Sequence, residues 1–252
     1  MHFIDTSETV RAWVHGWALS RGAGEPSPTP WGFTVTNGPA GNVSHVLPAA
    51  DEATVRELTT SATGPGVRLK AFVPADSLAS WIAPDWSLPD PPGFLMSTTL
   101  ESCSAGAPVP LPDGYRLHSW TSAGVVHARV HAPDGSTAAR GQASVDGATA
   151  VVDKVETHPA HRRRGFGRVV MGTLTTTAAE RGALVGLLAS SAEGRALYEA
   201  TGWRVEAPLA NALRGPGPAR QEAAGAATAP RACRQRGPRD TPTGPPGSAP
   251  RA

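Results

Sequence analysis

The sequence predicts a mixed α/β protein of the α+β kind, one mixed sheet with helices laid on it, and three features point that way. Between 114 and 157 short segments alternate apolar and polar residues and are broken by turn dipeptides, as in an antiparallel meander. After Pro159 the apolar period changes from two to nearly four, as a helix requires. An apolar run, a short helix and a last alternating segment follow, giving the order β-β-β-β-α-β-α-β.

The N-terminal part reads as a smaller α/β unit over residues 1–100. Asp5-x-x-Glu8 ahead of Val10, Trp13 and Trp17 has the pattern of a capped amphipathic helix, stopped at Arg21-Gly22. "GEPSPTP" reads as a loop. "WGFTVTN" alternates through Trp31, Phe33 and Val35 as a strand does, and "DEATVRELTTSATG" sets Val55, Leu58 and Ala62 on one helical face before Gly64. "VRLKAFVP" reads as a strand, followed by a short helix around Leu78 to Ile82 and a Pro-rich bend, "PDWSLPDPPG". This unit carries no catalytic motif, and its tryptophans read as core or domain-contact residues.

"ESCSAGAPVPLPDG" reads as a linker into a second domain over residues 101–213. "GYRLHSW", "VVHARVH", "AARGQASV" and "ATAVVDKVET" are its meander strands, turned at "APDGST" and Asp146-Gly147. Val126, Ala128 and Val130 fall on one face of their strand and His127, Arg129 and His131 on the other. Val170, Leu174 and Ala178 mark a helix ending at Arg181-Gly182. "ALVGLLA" is a buried strand, "AEGRALYEATG" a helix stopped by Gly202, and "WRVEAPL" a final strand.

The last stretch, 214–252, reads as a disordered tail. From Ala212 onward there are 10 Ala, 8 Pro, 7 Arg and 6 Gly, with Leu213 the one large aliphatic, so no core can be built from it. Its seven arginines face only Glu222 and Asp240, which leaves the preceding 211 residues at a formal charge of −3 within a chain of +2. The basic balance therefore belongs to the tail and argues against a nucleic-acid surface on the folded part. Two cysteines, Cys103 and Cys233, argue against a disulfide framework, and the absence of a long apolar stretch predicts a soluble, cytoplasmic protein with no membrane partner.

Chemistry concentrates in "HPAHRRRGFGRVVM", residues 158–171, where a strand ends in an Arg/Gly turn and feeds a helix. The first backbone N–H groups of such a helix have no partner in it and suit phosphate oxygens. Arg162, Arg163, Arg164 and Arg168 add charge, and Gly165 and Gly167 allow close approach around Phe166. A Walker loop is excluded because no Gly-Lys-Ser/Thr follows. A dinucleotide fingerprint is excluded because Val170 stands where its third glycine or alanine belongs.

What remains, Arg162-x-x-Gly165-x-Gly167, resembles the Arg/Gln-x-x-Gly-x-Gly/Ala signature of the GNAT superfamily of acyl-CoA-dependent N-acyltransferases. Downstream, "RALYEATGWRV" resembles that family's Leu-Tyr-x-x-x-Gly-aromatic run, and the likeness extends from Gly114 to Leu213. The resemblance implies a GNAT-like acyl-CoA N-acyltransferase fold in which strand 149–157 splays from strand 183–189. It implies acetyl-CoA as donor, its pantetheine arm bonded to the main chain at Val155, Glu156 and Thr157 and its diphosphate on the amides of Arg163 to Arg168. The acceptor would be the primary amine of a small molecule or a protein, and Tyr198 would protonate the leaving thiolate. Glu156 or Asp153 would take the amine proton; their strand parity places them on opposite faces.

Plainer readings stand beside these. The arginines can be a solvated charge run, or with the tail a nucleic-acid contact; Tyr198 can be a packed helix residue; Glu156 can be an exposed strand carboxylate. A CoA-binding sensor without catalysis is a further alternative. No metal is expected: His127 with His131, and His158 with His161, lack the partners a site needs.

Two departures from the family pattern are visible. Only about five residues separate the first meander strand from the next, where the family places acceptor-binding helices, so residues 1–100, whose element order loosely suggests a degenerate half of the same fold, are expected to cover that side. Low-complexity sequence also begins after Leu213, where the family adds a last strand; if that strand is lost, one sheet edge is exposed.

Overall fold

Asp5 caps the first helix, its Oδ1 accepting from the Ser7 amide at 3.1 Å, and α1 runs from Thr6 to Ser20 before the chain turns at Gly22 with φ of 64°. The computed structural model describes residues 5–38, 41–100 and 110–215. The linker cysteine Cys103, Cys233 and the stretch from 216 onward lie outside the described residues.

After α1 come β1 (Ser27–Thr29), β2 (Gly32–Asn37), β3 (Asn42–Leu47), α2 (Glu52–Ser61), β4 (Arg68–Ala71), α3 (Ala75–Trp81), β5 (Trp86–Ser87) and β6 (Gly93–Thr99). The meander follows as β7 (Arg116–Ser122), β8 (Val125–His131), β9 (Thr137–Asp146) and β10 (Thr149–Thr157). A 3-10 turn at Pro159–His161 leads to α4 (Phe166–Glu180), β11 (Val185–Ser191), α5 (Ala192–Glu199) and β12 (Arg204–Arg214). The second half thus has the expected order. In the first half "GEPSPTP" is not wholly loop, because Ser27–Thr29 pairs with β2, and neither β3 nor β6 is among the strands expected from periodicity.

All strands join one sheet among the described residues, in the order β1-β2-β3-β4-β12-β6-β11-β10-β9-β8-β7, with β5 on β12. The division placed at residue 100 does not separate two sheets. β6 lies before it, yet pairs with β11 on one side and β12 on the other, and Met1–Pro218 form one compact unit. Nor does β12 leave an edge exposed. Its first half pairs with β6 and its second half, Ala210 to Leu213, with β4, so the last strand ties both ends of the sheet.

Helices cover both faces. On one, α4 buries Phe166, Val170, Met171 and Leu174 against Val126, Ala128 and Val130 of β8 and Ala139 and Ala143 of β9. On the other, α1 buries Val10, Trp13, Val14 and Trp17 against Val151, Val185 and Leu187. Trp13 and Trp17 stack with ring centroids 5.3 Å apart, so two expected core tryptophans hold the helix to the sheet. The contact is close at Gly16, where a Cβ would stand 2.3 Å from Val151 Cγ2, and Ser144 Oγ donates to the Gly16 carbonyl at 2.7 Å.

A side chain at that point must therefore push α1 away. Gly16→Val is expected to cost about 1–3 kcal/mol, the range for overpacking, and to lower the melting temperature by several degrees; thermal unfolding followed by circular dichroism checks it.

Candidate functional site

β10 and β11 run parallel only from Thr149↔Val185 to Val152↔Leu188, although β10 continues to Thr157 and β11 to Ser191. Beyond Val152 the two strands part, and among the described residues no strand covers the β10 edge at Val155, Glu156 and Thr157. On its other side β10 stays paired with β9, but the register slips between Asp153↔Gln142 and Glu156↔Arg140. That slip is a β-bulge, with Lys154 in the left-handed region at φ of 53°.

The bulge overturns the parity expectation for the two carboxylates. Cross-strand partners share a face, and Gln142 and Arg140 lie two residues apart, so Asp153 and Glu156 face the same side, that of α1. Asp153 is fully engaged there. Arg21 donates to it through Nε at 2.6 Å and Nη2 at 2.9 Å, and Ser20 Oγ at 3.1 Å. Glu156 accepts two bonds from Arg140, at 3.0 and 2.7 Å, both on Oε2, which leaves Oε1 free.

At the end of β10 the chain enters the Arg/Gly turn. Arg163 and Gly165 both have positive φ, 64° and 80°, and Gly165 precedes α4 without any side-chain cap. The amides of Arg163, Arg164, Gly165, Phe166 and Gly167 donate to no carbonyl or side chain, whereas those of Arg168 and Val169 bond the Gly165 carbonyl at 3.0 and 3.1 Å. The free set is therefore 163–167, one residue shorter than expected. Gly167 is closely hemmed: a Cβ would lie 3.3 Å from Leu197 Cδ2 and 3.6 Å from Thr157 Oγ1. Consecutive unpaired amides at a helix N-terminus, flanked by arginines, could hold an anion such as a diphosphate.

Packing beneath the turn keeps those amides in place. Phe166 is buried, and the Tyr115 ring lies 4.7 Å from it. The Tyr115 hydroxyl is 3.1 Å from His161 Nδ1 and accepts from Arg164 Nη1 at 2.9 Å. Arg162 Nε donates to the Thr157 carbonyl at 3.4 Å, while the Arg163 and Arg168 side chains are exposed. Tyr115 is a site residue the motif does not contain. Its aromatic place at the start of a strand is its only trace in the sequence.

Tyr198, on α5, is buried beside Trp203, and its pKa is pushed up to about 12, first by burial and then by the Asp153 carboxylate. The phenol is thus neutral at any physiological pH and faces the region where β10 leaves β11.

On the α1 side a cleft of about 340 Å³ opens over the bulge, lined by Arg21, Trp120, Arg129, Arg140, Lys154 and Glu156, with His127 and Gln142 at its floor. Arg21, at the end of α1, lines one side of it, and Gln142 Nε2 donates to the Ser20 carbonyl. His127 has its pKa lowered, chiefly by burial and further by Arg129 and Lys154, so it is uncharged at neutral pH. Lys70 is half-buried nearby with Nζ over the Trp17 ring, donates to Asn211 Oδ1 at 2.8 Å, and has its pKa brought down to about 8, first by desolvation and then by Arg21 and Arg68. Among the described residues no group of His, Cys, Asp or Glu could hold a metal, and no helix is long and apolar enough to cross a membrane.

The chain has two tyrosines, so Tyr115→Phe isolates Tyr198. Because the folded pKa exceeds the unfolded value of about 10, the group stabilises the fold below that pH and the contribution is lost as pH rises toward 12. Spectrophotometric titration of Tyr115→Phe should show phenolate near pH 12; a midpoint at 10 would put the hydroxyl in water.

Comparison with known proteins agrees with this geometry. Residues 144–210, which contain β10, the turn, α4 and α5, match the family described as FR47-like protein. No curated protein sequence matches the chain. Among solved structures, a GCN5-related N-acetyltransferase from Kribbella flavida aligns over 85% of this chain and 98% of its own, at 14% identity and a TM-score of 0.56. A GCN5-related N-acetyltransferase-like protein from Streptococcus suis aligns over 83% and 98%, at 12% identity and a TM-score of 0.54. A GNAT-family protein from Novosphingobium aromaticivorans aligns over 82% and 97%, at 18% identity and 0.51. The chain has the fold of the GNAT superfamily, with an FR47-like segment at the parted strands and the Arg/Gly turn.

Proposed function

We propose that the protein is an N-acetyltransferase that moves an acetyl group from acetyl-CoA directly to a primary amine. The observation that carries this reading is the run of five unpartnered amides at 163–167 beside an uncovered strand edge at Val155–Thr157. A diphosphate on the first and an amide-bearing arm along the second is the chemistry of a CoA ester. Bound acetyl-CoA supplies the acetyl group as a thioester. The five amides and the arginines around them hold the diphosphate, and the main chain of Val155, Glu156 and Thr157 bonds the arm.

Tyr198 keeps its proton at neutral pH and donates it to sulfur as the carbon–sulfur bond breaks. Glu156 takes the proton of the attacking amine on Oε1, the oxygen that Arg140 leaves free. Asp153, bound by Arg21 and Ser20, instead fixes the end of α1 to the strand and shapes the acceptor side. Residues 1–100 thereby take the place of the acceptor helices, and the proton passes from nitrogen to carboxylate with no covalent enzyme intermediate.

Gly165→Glu should abolish CoA binding by calorimetry, since the new side chain brings a carboxylate to the unpartnered amides; a non-glycine residue at φ of 80° costs about 1–2 kcal/mol, so the circular dichroism spectrum should stay native. Unchanged affinity would remove the site. Tyr198→Phe should lower turnover about 100-fold or more with little change in CoA affinity, the usual loss of a general acid; equal turnover would return Tyr198 to a packing role.

A further inference from the structure

The register across the meander sets two rows of side chains on the α1 face. One runs His118, Arg129, Arg140, Glu156 and the next Trp120, His127, Gln142, Asp153, from β7 to β10. In the first row two guanidinium groups lie directly opposite one another, a placement that costs stability unless something negative stands between them. Arg140 has Glu156. Arg129 has no carboxylate: its Nε is buried without a partner, and its guanidinium lies 5.5 Å over the Trp120 ring. Lys154 adds an exposed positive charge over the same cleft, and the carboxylates near it among the described residues, Asp153 and Glu156, are already held by Arg21 and Arg140. Trp120 stacks with both His118 and His127, at 5.1 and 4.9 Å, which fixes the indole within the lining of the cleft.

We propose that this cleft selects an amine acceptor carrying an oxyanion, a carboxylate or phosphate, that pairs with Arg129 and Lys154 while its linking chain lies against Trp120. The inference rests on the acyl-transfer reading for where the amine goes, but not for the anion site itself. Arg129 stands on β8, two strand spacings or roughly 10 Å from β10, so the anion and the reacting amine must be separated by several bonds. An α-amino acid reacting through its α-amine is too short to span that distance. The Arg129 guanidinium has no carboxylate partner among the described residues, and a ligand oxyanion in the cleft would supply one.

The test is calorimetric titration of the full chain, with and without CoA, using three probes of equal length: 6-aminohexanoate, hexylamine and 1,6-diaminohexane. Wild type and Arg129→Gln are compared, and CoA binding is measured for both. Expected is binding of 6-aminohexanoate at least about tenfold tighter than of the other two, and its loss by about 10- to 100-fold in Arg129→Gln, the span for a charge-assisted bond, with CoA affinity unchanged. Comparable binding of all three probes, no binding of any, or no effect of Arg129→Gln overturns the anion assignment and leaves acyl transfer standing if CoA binds. If CoA does not bind, the acyl-transfer reading falls and the amine titration still decides the cleft. Should Arg129→Gln fail to fold, Lys154→Met, at an exposed position, must weaken 6-aminohexanoate several-fold, and no weakening counts against the proposal.

Discussion

Four residue pairs between β10 and β11, and then none, set the geometry of everything else in the site. A parallel pair that continued would cover the β10 edge at Val155–Thr157 with hydrogen bonds and leave no room for a ligand arm. The bulge at Lys154 helps to part them, because an extra residue on β10 increases local twist while β9 keeps its hold on the other side. A non-glycine residue at φ of 53° is held there at a cost of about 1–2 kcal/mol, and the price is met by the packing of Val155 toward α4 and of Asp153 toward α1.

The bulge also decides the chemistry of the two faces. Without it Asp153 and Glu156 would project oppositely and only one could meet the cleft. With it both lie on the α1 side, and they divide the work by their partners. Asp153 is saturated by Arg21 and Ser20, while Glu156 keeps one oxygen free. Tyr198 and the 163–167 amides approach from elements on the far side of the sheet, so donor and acceptor would enter from opposite faces and meet at the gap.

The Arg/Gly turn, Tyr198 and the alternation of Val126, Ala128 and Val130 are legible in the sequence because each is local: a strand, a turn and a helix written in consecutive residues. What the sequence hides is non-local or backbone-borne. β6 is buried on both faces, so "GFLMSTT" shows no alternation and sits behind a Pro-rich bend. β3 buries Ser44 in place of an aliphatic and so loses half of its pattern. Nothing in "VVDKVET" announces a bulge, since Lys154 is not a residue that favours positive φ, and parity counted along the strand then gives the wrong face. The Arg129–Trp120 cleft is assembled from four strands, and its signal, polar residues repeating opposite an apolar face, reads on one strand simply as a solvated side.

β12 gives the molecule a temporal order as well as a spatial one. It is made last among the described strands, yet it stands in the middle, with β6 on one flank and β4 on the other. As the chain leaves the ribosome, the early strands β1 to β4 and the meander can each form locally, but they cannot be joined until residue 214 emerges. Until then β4 and β6 each present an open flank to any other nascent chain. The protein's assembly is therefore governed by contacts separated by more than a hundred residues, which slows closure and makes that interval the one in which a chaperone matters most.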